Sequence, residues 1–303
     1  MRYNPSYLKT YADGLLLERI ELLESKLNPC MLCPRRCGVN RLSKELGYCR
    51  APYELFISSA FAHFGEEAPL VGIHGSGTIF LTHCNLKCIF CQNYEISILG
   101  DGLQQSYAQL ADLMLELQKR SCHNINFVTP THYVPQIVKA LPRAIDGGLS
   151  IPLVYNCGGY ESIEVIQLLE GIIDIYMPDI KFMSSHLSRK FCKAEDYPDV
   201  VKEVVKEMQR QVGDLSMDEE GIATHGLLIR HLVMPSCIED TKKVLTFVRD
   251  EISENAYVNI MAQYHPCHNA YKHEGIARRI TDEEYYGALS FAREIGLPRA
   301  ATH

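Results

Sequence analysis

The chain has no long apolar run. No stretch reaches the roughly 18 apolar residues that a membrane-spanning helix needs. The opening residues 1–14 lack the apolar core of a secretory signal. An excess of positive charge is missing too. The formal net charge is −7, so the basic footprint of a nucleic-acid binder is absent and nucleic acid is not the expected partner. There is no internal repeat and no low-complexity tract. What the chain does have is cysteine, 12 in 303 residues, with 47% hydrophobic residues to build one large α/β domain and an appendage. With no signal segment and tightly clustered thiols, metal thiolates in a reducing cytoplasm are expected rather than disulfides.

Seven cysteines fall in two groups. The tighter is Cys84-Asn85-Leu86-Lys87-Cys88-Ile89-Phe90-Cys91, with three thiols spaced x3 then x2. Three cysteines ligate three irons of a four-iron cluster and leave the fourth open to a non-protein ligand. The run 77–82, Gly-Thr-Ile-Phe-Leu-Thr, reads as a buried strand feeding this loop. The second group is Cys30, Cys33, Cys37 and Cys49, spaced x2, x3 and x11. Four thiolates close either a tetrahedral zinc site or a second iron–sulfur cluster. With every position filled by protein, such a site is structural or electron-relaying, and it stabilises a segment too short to bury its own core. Cys122, Cys157, Cys192, Cys237 and Cys267 are scattered and read as small core residues.

The CxxxCxxC string with Phe90 before its last cysteine resembles the cluster motif of the radical S-adenosylmethionine (SAM) superfamily. The wider string GSGTIFLTHCNLKCIFCQN, and CMLCPRRCGVNR upstream, are similar to the branch of the pyruvate formate-lyase activating enzyme. The likeness runs from about Cys30 to Gly296. It implies a [4Fe–4S] cluster on Cys84, Cys88 and Cys91, with the SAM amino and carboxylate groups on the open iron and Phe90 near the adenine.

Residues 11–27 carry Leu16, Ile20, Leu23 and Leu27 at helical spacing. Residues 50–76 read as short strands and turns. From Gly77 on, apolar strands alternate with amphipathic helices. Strands are predicted at 77–82, 124–129, 151–155, 172–176, 226–233 and 257–261. Thr281 with Glu284 reads as a capping box for a last helix that Gly296 ends. Six β/α units imply a partial (β/α)6 TIM-type barrel with parallel strands, as does the resemblance, plus the small N-terminal cysteine-rich appendage. The expected division is 1–75 for the appendage, 76–275 for the barrel and 276–303 for the C-terminal helix. Residues 213–225, acidic and glycine-bearing, read as the most mobile loop.

Ligands of parallel α/β folds sit at the carboxyl ends of strands. The second strand ends at Thr129-Pro130-Thr131-His132, where Thr129, Thr131 and His132 offer hydroxyl, carbonyl and imidazole partners. The wider superfamily usually carries Gly-Gly-Glu there to receive the SAM ammonium, and this chain departs from it. The third strand ends at Asn156, a hydrogen-bonding partner for a ribose or a carboxylate. On the fourth, Asp179 and Lys181 alternate to one face, and resemble the Asp-x-Lys that the activating-enzyme branch places by the SAM ribose and the substrate. On the fifth, Arg230 lies inside an apolar strand and requires a carboxylate partner, from SAM or from the protein. After the sixth, His265, Cys267 and His268 read as a pocket wall.

The function expected is that of a radical SAM enzyme. It cleaves SAM reductively to a 5′-deoxyadenosyl radical and abstracts hydrogen from a substrate, with a glycyl radical enzyme as the implied target. A peptide, a small molecule or RNA is the alternative substrate. No flavin or nicotinamide fingerprint is present, so an outside reductant of flavodoxin or ferredoxin type is expected. A rival of another class is a non-catalytic iron–sulfur electron carrier or zinc scaffold.

Overall fold

The structure is a computed structural model that describes residues 3–301; the outer ends of the first and last expected segments, residues 1–2 and 302–303, lie outside the described residues. Two helices come first, α1 (Ser6–Ala12) and α2 (Leu15–Ser25). The apolar stripe alone predicts one helix over 11–27. The chain breaks instead at Gly14, whose φ of 77° is a left-handed conformation that glycine adopts without steric cost. The stripe keeps its role, because Leu16, Ile20 and Leu23 are buried on α2 and Leu27 is buried just past its end.

The cysteine segment that follows is irregular. Residues 50–76 then hold more order than short strands and turns. They form β1 (Leu55–His63), α3 (Ala68–Val71) and the start of β2 (Ser76–Leu81), with β1 antiparallel to β2. A short β3 (Leu103–Gln105) pairs with the far side of β1. Beyond it come α4 (Tyr107–Lys119), β4 (Ile125–Val128), α5 (Val134–Asp146), β5 (Leu153–Cys157), α6 (Ile163–Leu168) and β6 (Ile175–Pro178). The second half holds α7 (Ser185–Cys192), α8 (Tyr197–Val212), β7 (Ser216–Met217), β8 (Ala223–Leu232), α9 (Ile238–Phe247), β9 (Tyr257–Met261), α10 (Asp282–Glu294) and β10 (Ala300–Ala301).

The sheet runs β10-β9-β8-β6-β5-β4-β2-β1-β3, and every pairing from β2 to β10 on this path is parallel. This is the partial barrel: the six expected strands appear in the expected order, and β10 adds a seventh beside β9. Two of the six are displaced. β5 begins at Leu153 because Pro152 has no N–H for the ladder. β6 begins at Ile175 because Ile172 and Ile173 bond back to the Leu169 carbonyl in the turn after α6. Segment 213–225 is also more ordered than its composition suggests. It forms a hairpin of β7 on β8, and the Asp218 carboxylate accepts from the Glu220 and Ile222 N–H groups at 3.0 and 2.9 Å.

The segment joining β1 to β2 plugs the barrel at the amino ends of its strands. Leu70 of α3 is fully buried against Val154, Ile175, Met177 and Leu228. Directly before α3, this plug carries Glu66 and Glu67 inward, both nearly buried. At the other end of the chain, Thr281 and Glu284 form the expected capping box, and the Leu297 N–H bonds to Ala292 where Gly296 ends α10. Leu16, Leu23 and Leu32 of the N-terminal segment belong to the same apolar core as Leu81 and Phe127 of the barrel.

Candidate functional site

A cavity of about 240 Å³ opens at the carboxyl ends of β2, β4, β5, β6, β8 and β9. Cys84, Cys88 and Cys91 line it, with Phe90, Thr129, Asn156, Asp179, Lys181 and Arg230. Thus three expected cysteine ligands and six expected cofactor residues, from five strand ends, meet around one space.

The cysteine loop is held by backbone bonds on both sides. Ile89 N–H donates to the Phe191 carbonyl at 2.9 Å, and Ile89 in turn accepts from Asn269 N–H at 2.9 Å. Cys84 Sγ accepts from Leu86 N–H at 3.4 Å. Cys91 Sγ lies 3.1 Å from Ser97 Oγ, and Cys88 Sγ lies 3.5 Å from Cys192 Sγ. Burial pushes the Cys84 and Cys91 thiols up. Cys88 is drawn below the usual thiol range, since its bond with Cys192, with help from the Lys181 charge, outweighs burial. Phe90 is nearly buried, with the Phe182 and Tyr264 ring centroids 6.2 and 6.3 Å away, and it lines the cavity.

Facing the thiols is a polar chain of four side chains. Lys181 Nζ donates to Asp179 Oδ2 at 2.7 Å. Arg230 Nε donates to Asp179 Oδ1 at 2.8 Å, and its Nη2 donates to Asn156 Oδ1 at 2.7 Å. Burial opposes the charge on each member, yet Arg230 and Lys181 hold the Asp179 carboxyl below its usual range, and Asp179 with Cys88 holds Lys181 above its own. The carboxylate that Arg230 requires is supplied by the protein three times over: Asp179, then Glu66 at 3.6 Å and Glu67 at 3.9 Å from Nη1. Glu67 also accepts from the Asn259 side chain of β9 at 2.9 Å.

Thr131 and His132 correct the reading of the β4 end. Neither reaches the cavity wall, because the 3-10 turn Thr131–Tyr133 carries both into the interior. Thr131 Oγ1 donates to Glu161 Oε1 at 2.7 Å, and Glu161 also accepts from Tyr155 at 2.9 Å. Burial raises the Glu161 carboxyl to about 7. His132 Nε2 meets the Thr82 carbonyl at 2.7 Å, and burial lowers the imidazole to about 3, so it is neutral. Sequence reasoning missed Glu66, Glu67, Glu161 and Cys192. The only sequence signal for Glu66 and Glu67 is an acidic pair set directly before the apolar Ala68-Pro69-Leu70-Val71. His265, Cys267 and His268, read from the sequence as a pocket wall, do not line the cavity. His265 lies 3.3 Å from Gln92, and His268 stacks on Tyr94 at 5.1 Å.

Cys30, Cys33, Cys37 and Cys49 line a second, much smaller cavity together with Arg35, Arg41 and His132. Tyr48 N–H donates to Cys37 Sγ at 3.2 Å and Ala51 N–H to Cys49 Sγ at 3.5 Å. Arg41 is fully buried, and its guanidinium donates to the His132 and Pro52 carbonyls at 2.7 and 2.6 Å, with the Tyr133 ring centroid 5.9 Å away. Arg35 ties this segment to the first cavity. It donates to the Asn85 carbonyl of the cysteine loop at 3.0 Å and to the Lys193 carbonyl at 2.7 Å, with its guanidinium 3.9 Å above the Tyr48 ring.

Among the described residues, no three His, Cys, Asp or Glu side chains converge as the ligands of one metal ion do. An iron–sulfur cluster asks for something else, since each thiolate takes a different iron and the ligands stand around a volume. Cys84, Cys88 and Cys91 around the larger cavity fit that demand. Asn156, Asp179, Lys181 and Arg230 supply the mixed donors and acceptors that a zwitterionic nucleoside requires.

Among the described residues, no helix is long and apolar enough to cross a membrane. Residues 78–218 match the family model of the radical SAM superfamily. An uncharacterized protein of Methanocaldococcus jannaschii, MJ0674, is 34% identical over 300 residues, covering 96% of this chain and 82% of the relative. Streptococcus suis SuiB bound to S-adenosylmethionine superposes with a TM-score of 0.50 at 13% identity, over 73% of this chain and 48% of that one. Methylornithine synthase (PylB) gives 0.50 at 12% identity, over 74% of this chain and 63% of its own. The chain thus spans about half to two thirds of those two structures, and the likeness shows the fold alone. The family match runs over the cysteine loop and strands β4 to β6: this chain belongs to the radical SAM superfamily and is a radical SAM enzyme, a membership that implies a [4Fe–4S] cluster and SAM as cofactors.

Proposed function

We propose that Cys84, Cys88 and Cys91 hold the cluster, and that SAM lies across the cavity against Phe90, Asn156, Asp179, Lys181 and Arg230. The observation that carries this reading is the meeting of the three thiols with the Asn156–Arg230–Asp179–Lys181 chain around one cavity. When bound, the cofactor pair supplies one-electron cleavage of SAM to methionine and a 5′-deoxyadenosyl radical that takes hydrogen from the substrate. The protein's part is position and shielding. Asp179, fixed on both oxygens, is an oriented acceptor for a ribose hydroxyl. Lys181 keeps its proton and stands over the thiolates as a fixed cation. Phe90 offers an apolar contact to a base, and Leu86, Val128, Leu232 and Met234 keep the wall dry.

The substrate proposed is a protein segment with an abstractable backbone hydrogen, as in a glycyl radical enzyme. The support is the likeness of the cysteine-loop string to the activating-enzyme branch. An external flavodoxin- or ferredoxin-type protein is the proposed electron donor. A second metal–thiolate site is proposed at Cys30, Cys33, Cys37 and Cys49. It is supported by four thiols around one cavity and by two guanidinium groups beside them, Arg35 and Arg41, which among the described residues have no carboxylate partner, the surroundings a thiolate anion requires.

The test is anaerobic mixing of the reconstituted, reduced protein with SAM and a candidate glycyl radical enzyme. A stable doublet in electron paramagnetic resonance on the partner supports the substrate assignment. SAM cleavage with no such doublet from any candidate moves the substrate to another class.

A further inference from the structure

We propose that Cys192 is a positioning residue for the cluster: its thiol donates a hydrogen bond to the Cys88 sulfur and makes the cluster easier to reduce. This rests on the reading that Cys88 is a cluster ligand.

The two sulfurs lie 3.5 Å apart although 104 residues separate them in sequence. Cys192 is wholly buried, and Cys88 is buried with one side on the cavity. Cys192 itself does not line that cavity. Buried beside Cys88 and off the cavity wall, it is poorly placed to take the corner left to SAM.

Its place is fixed by neighbours on both strands of contact. Cys192 is the last residue of α7, which ends as Lys193 turns left-handed at φ 59°. Phe191, one residue before, accepts the Ile89 N–H at 2.9 Å, one residue after Cys88. Lys193, one residue after, accepts from Arg35, which also bonds the Asn85 carbonyl of the cysteine loop. The Phe191 ring packs on Phe182 at 5.8 Å, and Phe182 on Phe90 at 6.2 Å.

The direction of donation follows from the chemistry. A cysteine that ligates iron has lost its proton. Of the two sulfurs only Cys192 then keeps an S–H, and its close partner is the ligating sulfur. A hydrogen bond to a cluster sulfur favours the state with more negative charge, which is the reduced one, and raises the potential.

The experiment compares wild type, Cys192→Ser, Cys192→Ala and Cys192→Val after anaerobic reconstitution. Iron and sulfide per chain are measured, and the cluster potential is followed by electron paramagnetic resonance during redox titration. The expected result is unchanged iron in all four, a more negative potential in Cys192→Ala and Cys192→Val, and a potential near wild type in Cys192→Ser, which keeps a donor. Equal potentials in wild type and both apolar variants overturn the inference. So does loss of the cluster from both apolar variants, because a tuning donor is not required for assembly. Failure of wild type itself to assemble a cluster strikes the underlying ligand assignment, not this step.

Discussion

Arg230 and Asp179 are joined at 2.8 Å across neighbouring strand ends, and the second oxygen of the same carboxylate receives Lys181 at 2.7 Å. One acid therefore holds two cations, while Arg230 also faces Glu66 and Glu67 from the plug below. Both charge types are tucked inside the barrel, so neither is free to lose its partners cheaply.

Arg230→Met removes the cation shared by Asp179, Glu66 and Glu67 in a buried setting, leaving Glu66 only the His63 imidazole at 3.5 Å as an ion-pair partner among the described residues. Removing one member of such a cluster costs about 3 kcal/mol or more. Urea unfolding of the variant is expected to show that loss. Arg230→Lys keeps the charge but not the fork that joins Asp179 to Asn156, and is expected to lose less. A loss under about 0.5 kcal/mol in Arg230→Met, in the range of an ordinary surface substitution, contradicts the assignment.

Glu161 gives a pH dependence with a definite sign. Its folded-state carboxyl titrates near 7 against an ordinary 4.5, raised by burial despite the Thr131 and Tyr155 hydroxyls. Between those values the folded state holds a proton that the unfolded state gives up. The stabilisation is fully present below about pH 4.5 and is lost as pH rises through 7, amounting to about 3 kcal/mol. Glu161→Gln is expected to flatten this slope in unfolding curves taken from pH 5 to 8. An unchanged slope shows that the carboxyl is already ionised in the fold.

Gly47 stands where a Cβ would lie 2.9 Å from Cys37 Sγ. Gly47→Ala is expected to displace that thiol and lower metal retention at the proposed N-terminal site, leaving iron at Cys84, Cys88 and Cys91 unchanged. Metal analysis of the variant checks this, and also distinguishes zinc from iron at that site. Full retention of both metals argues that Cys37 is not a ligand.

Local features were legible in the sequence. Cys84, Cys88 and Cys91 share one loop. Asp179 and Lys181 face one way because an extended chain alternates. Arg230 in an apolar strand announced a carboxylate without naming it. Distant partners were not legible. Glu66 and Glu67 arrive from a plug far from Arg230 in sequence, and Cys192 reaches Cys88 only once α7 has folded against the loop. Thr131 and His132 were misplaced for a local reason: a strand-end position says where a residue begins, and the 3-10 turn decides which way it points. The one-helix reading of 11–27 failed at Gly14, which an apolar stripe does not register.

The role proposed for Cys84, Cys88 and Cys91 is to hold the cluster that drives SAM cleavage. Its most direct measurement is 5′-deoxyadenosine formed by the anaerobically reconstituted chain with SAM and dithionite, beside Cys88→Ala prepared in the same way. This role requires steady formation by the wild-type chain and none above background from the variant. Equal amounts from both, or none from a wild-type chain that carries its full complement of iron, would contradict it.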